Sequence, residues 1–204
     1  MATFIPRKVK ESWCKYYHRF IFTLAGVEFG RHLNVYASMT LKKYNGAEFV
    51  IGDDFTFHSG SSINPICRNI TGCIFVNNNA KLLIGNDVGI SSACIWCDES
   101  ITIGNHVKIG GDCIILDTDC HSLEFMTRRT VKTDREQTKT KPVVIGDDVL
   151  IGARSIILKG VHIGCRTVIG AGSVVTQDIP EDCIAAGNPC NVIRKNNGAK
   201  DITD

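Results

Sequence analysis

The sequence predicts an all-β protein, a three-sided parallel β-helix with a short N-terminal helix and one long inserted loop. Three observations carry that prediction. Aliphatic residues recur at every sixth position through Ile145, Ile151, Ile157, Ile163, Ile169 and Val175. Glycine follows four of them (Gly146, Gly152, Gly164, Gly170), and a small or β-branched residue stands four positions after each, from Val149 and Ser155 to Val161, Thr167, Ser173 and Ile179. The interval also appears earlier, in Phe29, Val35 and Leu41, in Ile51, Phe57 and Ile63, in Ile84, Ile90 and Trp96, and in Ile103, Ile109 and Ile115. A six-residue unit fits a short strand and a corner, and it is too short for a helix pair or a propeller blade. Three sides make a coil of about 18 residues with the sixth-residue aliphatics stacked inward. Gly, Asn and Asp at the corners supply the positive φ that β-branched residues refuse. A β-sandwich would instead alternate, with turns every ~8–12 residues.

The elements follow in order. Residues 1–25 form a helical cap for the open end of the coil. Val9, Trp13, Tyr17, Phe20 and Leu24 recur at helical spacing, with Arg7, Lys8, Lys10, Lys15 and Arg19 on the remainder. A helix lying on a membrane surface would share this pattern, and a cap or subunit contact is the preferred reading. Residues 26–195 form the coil, interrupted by an insertion over 116–144. The stretch "NPICRNITGCIFVNNNAK" keeps no clear register and reads as a degenerate turn. Pro180 stops the six-residue beat, "CIAAGNPCNVIRK" closes the coil as a strand and turn, and residues 196–204 are a polar tail.

Composition narrows the function classes. The 204 residues carry a net charge of +2 with no long basic stripe, which argues against nucleic acid as partner. No apolar run reaches the roughly 18 residues of a membrane span, and "MATFIPRKVKESW" lacks a signal-peptide core, so the expectation is a cytoplasmic protein. The ten cysteines sit in repeat slots among Ile, Val and Ala, where a reduced thiol packs as a small apolar group. Cys94 and Cys97 form a lone CxxC with no second pair at zinc spacing, and no metal site is expected.

The repeats, "DTDCHS" ahead of an insertion, "IGAGSVVTQDIP" and "AAGNPCNVIRK" together resemble the left-handed β-helix hexapeptide-repeat acyltransferases. The branch most resembled comprises the galactoside/maltose and capsular-polysaccharide O-acetyltransferases. The resemblance implies a left-handed coil, against the usual right-handed crossover rule. It also implies a homotrimer with active sites between subunits, acetyl-CoA as acyl donor, no required metal, and a loop histidine as base, here His121. The CoA ridge maps to Ala153, Ala171, Thr176, Gln177, Asn191 and Arg194. The family often has Lys at Gln177 and a basic residue at Asn191, so this chain has less positive charge at the phosphate end, where Lys195 and Arg166 are candidate replacements. On the acceptor side, Asp98 matches a position that contacts sugar hydroxyls, and Ser91 stands where sugar acetyltransferases often have Asn.

Acetyl transfer to a hydroxyl needs the alcohol proton removed as its oxygen attacks the thioester. An imidazole with an ordinary pKa near 6.5 suits that task. Of the six histidines, His121 alone combines a coil end, neighbouring carboxylates and entry into a long loop, whereas His18, His32, His58, His106 and His162 lie in the helix, in turns or in regular repeats. Asp117 and Asp119 either orient the imidazole, bind sugar hydroxyls or simply form the turn, and Glu124 is a further candidate orienter. Trp96 is read as core, with a sugar-stacking platform as its alternative. The polar distal part of the insertion, "RRTVKTDREQTKTKP", suits an arm that walls off the acceptor of a neighbouring subunit, and deletion of Arg128 to Lys139 is expected to raise the acceptor KM. The reading is therefore an acetyltransferase acting from acetyl-CoA on a hydroxyl of a sugar or glycan precursor. Transfer to an amine, a metal-dependent hydratase and a non-catalytic scaffold are the competing readings.

Overall fold

The computed structural model describes residues 7–60, 66 and 70–196; within the first helix, side chains are described for residue 14 and from residue 16 onward. Helix α1 (Arg7–Leu24) leads into a coil whose strands stack in three parallel sheets. One sheet carries β1 (Glu28–Phe29), β4 (Glu48–Ile51), β7 (Lys81–Ile84), β10 (Ser100–Ile103), β13 (Val143–Ile145) and β16 (His162–Ile163). The second carries β2 (Asn34–Tyr36), β5 (Thr56–His58), β8 (Gly89–Ser91), β11 (Lys108–Ile109), β14 (Leu150–Ile151) and β17 (Val168–Ile169), and then β19 (Cys183–Ala186) and β20 (Asn191–Lys195). The third carries β3 (Thr40–Lys43), β6 (Cys73–Val76), β9 (Cys94–Cys97), β12 (Ile114–Leu116), β15 (Ile156–Ile157) and β18 (Val174–Val175). Up to β18 each strand therefore pairs with the strand three places along the chain, as a triangular coil requires.

The sixth-residue aliphatics fill the axis. Ile145, Ile151, Ile157, Ile163, Ile169 and Val175 are buried, and so are the second-slot residues Val149, Ser155, Val161, Thr167, Ser173 and Ile179. Each fully buried Ile or Val contributes about 1.5–3 kcal/mol by removal from water. The buried hydroxyls are satisfied locally: Ser155 donates to the Gly152 carbonyl (2.8 Å) and Thr167 to that of Pro180 (2.8 Å).

Several expectations are corrected. Trp96 is not inward: β9 turns Ile95 and Cys97 to the axis and Trp96 outward, because the side from Ile90 to Ile95 is one residue short across a corner where Ser92 takes positive φ. The third side of the second coil is β6, with Ile74 and Val76 buried, so the stretch with no clear register contains a regular strand. Ile63 lies outside the described residues. The glycines after the sixth-residue slots serve close approach rather than positive φ. A Cβ on Gly152 would stand 2.4 Å from the Ala171 backbone nitrogen, and one on Gly164 2.3 Å from that of Glu181. The left-handed corner positions are instead taken largely by Asp, Asn, His and Arg, such as Asp54, Asn79, His106, Asp148 and Arg166.

The cap also differs in detail. His18 and Phe22 face the coil, with Phe22 against the rings of Phe29 and Phe49, while Tyr17, Phe20 and Leu24 are exposed. The side chains of Val9 and Trp13 lie outside the described residues. The six-residue beat stops at Pro180, as expected, but the coil continues beyond it. Ile179 still bridges in parallel to Ile163, β19 stacks on β17, and only β20 reverses to run antiparallel along β19. Of the polar tail, Asn196 is described, and residues 197–204 lie outside the described residues.

Candidate active site

The coil releases the chain after Leu116 and takes it back at Val143. A narrow neck ties the two ends: Thr118 bridges Thr140 in antiparallel fashion, the Asp119 N–H donates to the Lys139 carbonyl (3.0 Å) and the Lys141 N–H to that of Asp117 (2.9 Å). Beyond the neck the insertion is structured. It holds a 3-10 turn (Thr127–Arg129) and helix α2 (Val131–Gln137), whose N-cap Thr130 accepts from the Thr133 N–H. The Arg128 guanidinium donates to the Ser122 carbonyl (2.7 Å) and Thr133 Oγ1 to that of Thr127 (2.6 Å), folding the arm on itself.

His121 sits where the neck opens into the arm. Its Nδ1 contacts Asp134 Oδ2 at 2.7 Å, and Asp134 Oδ1 accepts the Ser122 N–H at 2.7 Å. One carboxylate thereby fixes both the ring and the backbone that follows it. The His121 bond holds the Asp134 carboxyl below the ordinary carboxylate range, with the Ser122 N–H adding to the effect. Two other histidines also face aspartates: His32 meets Asp54 (2.6 Å) and His106 meets Asp87 (3.1 Å). Those partners are open to water, at 57% and 50% exposure, whereas Asp134 is 14% exposed beneath a ring that is itself 71% exposed. Only the His121 pair combines a sheltered carboxylate with an open imidazole.

None of the three carboxylates considered from sequence orients His121. Asp117 is fully buried and closes the corner below, accepting the N–H groups of Asp98 (2.7 Å) and Glu99 (2.8 Å). Burial raises its carboxyl above the usual range against those backbone bonds. Glu124 accepts the Met126 N–H through Oε1 (3.2 Å), a local turn contact. Asp119 faces Lys159, with Nζ 3.4 Å from an Oδ2 that makes no hydrogen bond. With Leu116, Thr118, Leu158 and Thr176 this pair lines a cleft of about 280 Å³.

A second cleft, of about 440 Å³, opens beside the neck and is lined by Tyr44, Asn77, Asn78, Trp96, Asp98, Cys120, Arg135 and Thr138. Cys120 places it directly next to His121, and Arg135 and Thr138 bring the arm to its rim. Asp98 is its anionic member, its Oδ1 accepting the Trp96 indole N–H at 2.9 Å and the Asn77 amide. Ser91 is elsewhere, on the outer face of the second sheet opposite His58, so one chain does not bring it to Asp98 and His121.

The donor-side candidates cluster on the last coils. Ala153 and Ala171 stack at one corner, where the Gly172 N–H donates to the Ala153 carbonyl (2.9 Å). Thr176 lines the smaller cleft, Gln177 Nε2 donates to Asn191 Oδ1 (3.3 Å), and Arg194 is exposed farther along β20. Arg166 is occupied by Asp182 and Glu181, on another corner. Among the described residues, no three His, Cys, Asp or Glu side chains gather as a metal site, and no helix is long and apolar enough to cross a membrane. Sequence reasoning missed Asp134, Lys159, Asn77 and Arg135. Only Asn77 had a signal, its alignment with Asp98 once β6 is placed beside β9.

The chain is similar to known proteins in sequence and in fold. Residues 142–177 match the model for the hexapeptide repeat of succinyl-transferase. A galactoside O-acetyltransferase of Lactococcus lactis subsp. lactis is 43% identical over 100 residues, 49% of this chain and 45% of the relative. A 2,3,4,5-tetrahydropyridine-2,6-dicarboxylate N-acetyltransferase of Staphylococcus aureus is 49% identical over 59 residues, 29% of this chain and 25% of the relative. The chain thus spans less than half the length of these curated relatives. The solved structure of a hexapeptide-repeat acetyltransferase from Vibrio cholerae, complexed with acetyl-CoA, superposes with a TM-score of 0.55 at 26% identity, over 88% of this chain and 77% of that one. A coil of the opposite hand would not superpose, so the left hand follows. With its repeat, its hand and its interrupted coil, the chain has the left-handed β-helix fold and is similar in sequence and structure to hexapeptide-repeat acetyltransferases.

Proposed function

We propose that the protein transfers an acetyl group from acetyl-CoA to a hydroxyl of a sugar or glycan precursor, with His121 as general base. The observation that carries the reading is the His121–Asp134 contact of 2.7 Å beside the Asp98 cleft. Asp134 engages Nδ1 and leaves Nε2 as the proton acceptor. The acceptor lies in the larger cleft, with one hydroxyl donating to Asp98 and the reacting hydroxyl facing His121. His121 takes its proton as the oxygen attacks the thioester carbonyl, and returns that proton to the departing CoA sulfur. General-base help of this kind is worth about 10²–10⁴-fold.

The donor lies along the corner of Ala153 and Ala171, whose small side chains leave the surface low, with Thr176 beside its reactive end and Gln177, Asn191 and Arg194 toward its phosphates. The exposed apolar residues Leu123, Phe125, Met126 and Val131 on the arm support a homotrimer in which each arm closes a neighbour's site, the arrangement that would also bring in Ser91.

Release of free CoA thiol across a panel of matched hydroxyl- and amino-sugars tests the reading. Turnover with hydroxyl acceptors is expected. Turnover confined to amines overturns it in favour of N-acetylation, a reaction named for the Staphylococcus relative.

A further inference from the structure

Asp98 is held in an asymmetric way. Both described side-chain bonds, from the Trp96 indole N–H (2.9 Å) and from the Asn77 amide, end on Oδ1. Its backbone N–H is committed to the buried Asp117 at 2.7 Å. Oδ2 accepts from no described residue and belongs to a half-buried side chain lining the larger cleft. A carboxylate with one oxygen doubly engaged cannot rotate freely, so its second oxygen points in one direction.

Trp96 is suited to this task and unsuited to being a sugar platform. It pairs in register with Phe75 on one side and Leu116 on the other. The rings of Phe75 and Trp96 lie 5.1 Å apart at 11°, close to the ~4.8 Å spacing of neighbouring strands, and the Lys42 ammonium sits 5.4 Å from the Phe75 centroid. The indole is a rung in an exterior ladder. It offers its polar edge rather than a face.

We infer that Trp96 and Asn77 are positioning residues that engage Oδ1 of Asp98 and aim Oδ2 at a hydroxyl donor of the acceptor. The inference rests on the hydroxyl-transfer reading above. It identifies the acceptor as a polyol with a second hydroxyl placed to donate to Asp98 while the reacting one faces His121.

Two measurements test it. Trp96→Phe keeps the stacked ring and removes the N–H. It should raise the acceptor KM about tenfold, the size of one hydrogen bond to a charged group, and leave the acetyl-CoA KM unchanged. Asn77→Ala should act in the same direction. In an Asp98→Ala background Trp96→Phe should add nothing, since the oxygen it holds is gone. An unchanged acceptor KM, or an equal effect with Asp98 absent, overturns the inference. The second measurement needs no acceptor: the Trp96 indole N–H resonance, identified by its loss in Trp96→Phe, should move on Asp98→Ala, and an unmoved resonance overturns the inference. Failure of every hydroxyl acceptor with a shifted indole resonance would strike the reaction assignment and leave the clamp standing.

Discussion

Asp134 and Asp117 show two uses of a carboxylate within one short stretch of structure. Asp134 is sheltered, paired with His121 and depressed by that pairing, so the contact is present above the ordinary carboxylate range. It is lost only as pH falls through the depressed folded value, and activity should not fall through loss of this contact at mildly acidic pH. Asp134→Asn should keep the fold and lower kcat by roughly ten- to a hundredfold, because part of the general-base gain depends on ring orientation; steady-state kinetics with saturating donor would show it. Asp117 runs the other way. Its carboxyl is raised chiefly by burial, so the folded state binds its proton more readily than the unfolded chain. Its contribution to stability therefore falls as pH rises from the ordinary carboxylate value through the raised one. Asp117→Asn presents an amide N–H₂ to one of two backbone N–H donors and should cost about 1–3 kcal/mol in denaturant unfolding, while flattening that pH dependence. The sequence singles out His121 by its place at a coil end before a long loop, and Asp98 by the family resemblance alone. Asp134 was not legible, since it reaches His121 from a seven-residue polar helix that carries no periodic signal.

At the scale of elements, the coil follows from the six-residue beat, and its errors are local. The beat assigns Ile84 and Ile90 correctly and then overshoots to Trp96, because nothing in composition marks the shortened corner at Ser92. It also loses the second coil, whose third side comes only at β6, well past the sixth-residue slot after Phe57. The glycines separate two physical causes. Gly152→Ala would drive a Cβ to 2.4 Å from the backbone of the next coil and should cost about 2–3 kcal/mol or more. Gly172 has φ of +72° with open space around its missing Cβ, so Gly172→Ala should cost only about 1–2 kcal/mol of left-handed strain. Paired urea melts of the two variants check the order. The insertion changes meaning as well. Because α2 carries Asp134, deleting residues 128–139 should lower kcat in addition to raising the acceptor KM.

At the scale of the molecule, the coil is a regular stack of strands and the arm is a long departure from it. Among the described residues, exposed apolar side chains include Leu123, Phe125 and Val131 on the arm, Tyr16, Phe20 and Leu24 on α1, and Val192 and Ile193 on β20. A 22.4 kDa chain assembled as proposed should sediment as a trimer, three times that mass, and Phe125→Glu should shift it toward monomer with loss of turnover. The proposed reaction depends on His121 removing the acceptor proton. The most direct test compares His121→Ala with the unaltered protein for turnover of a sugar hydroxyl acceptor and for calorimetric affinity for acetyl-CoA. With His121 as the base, the variant's kcat should fall about 10²–10⁴-fold with donor affinity unchanged. A variant that turns over at the full rate would contradict it.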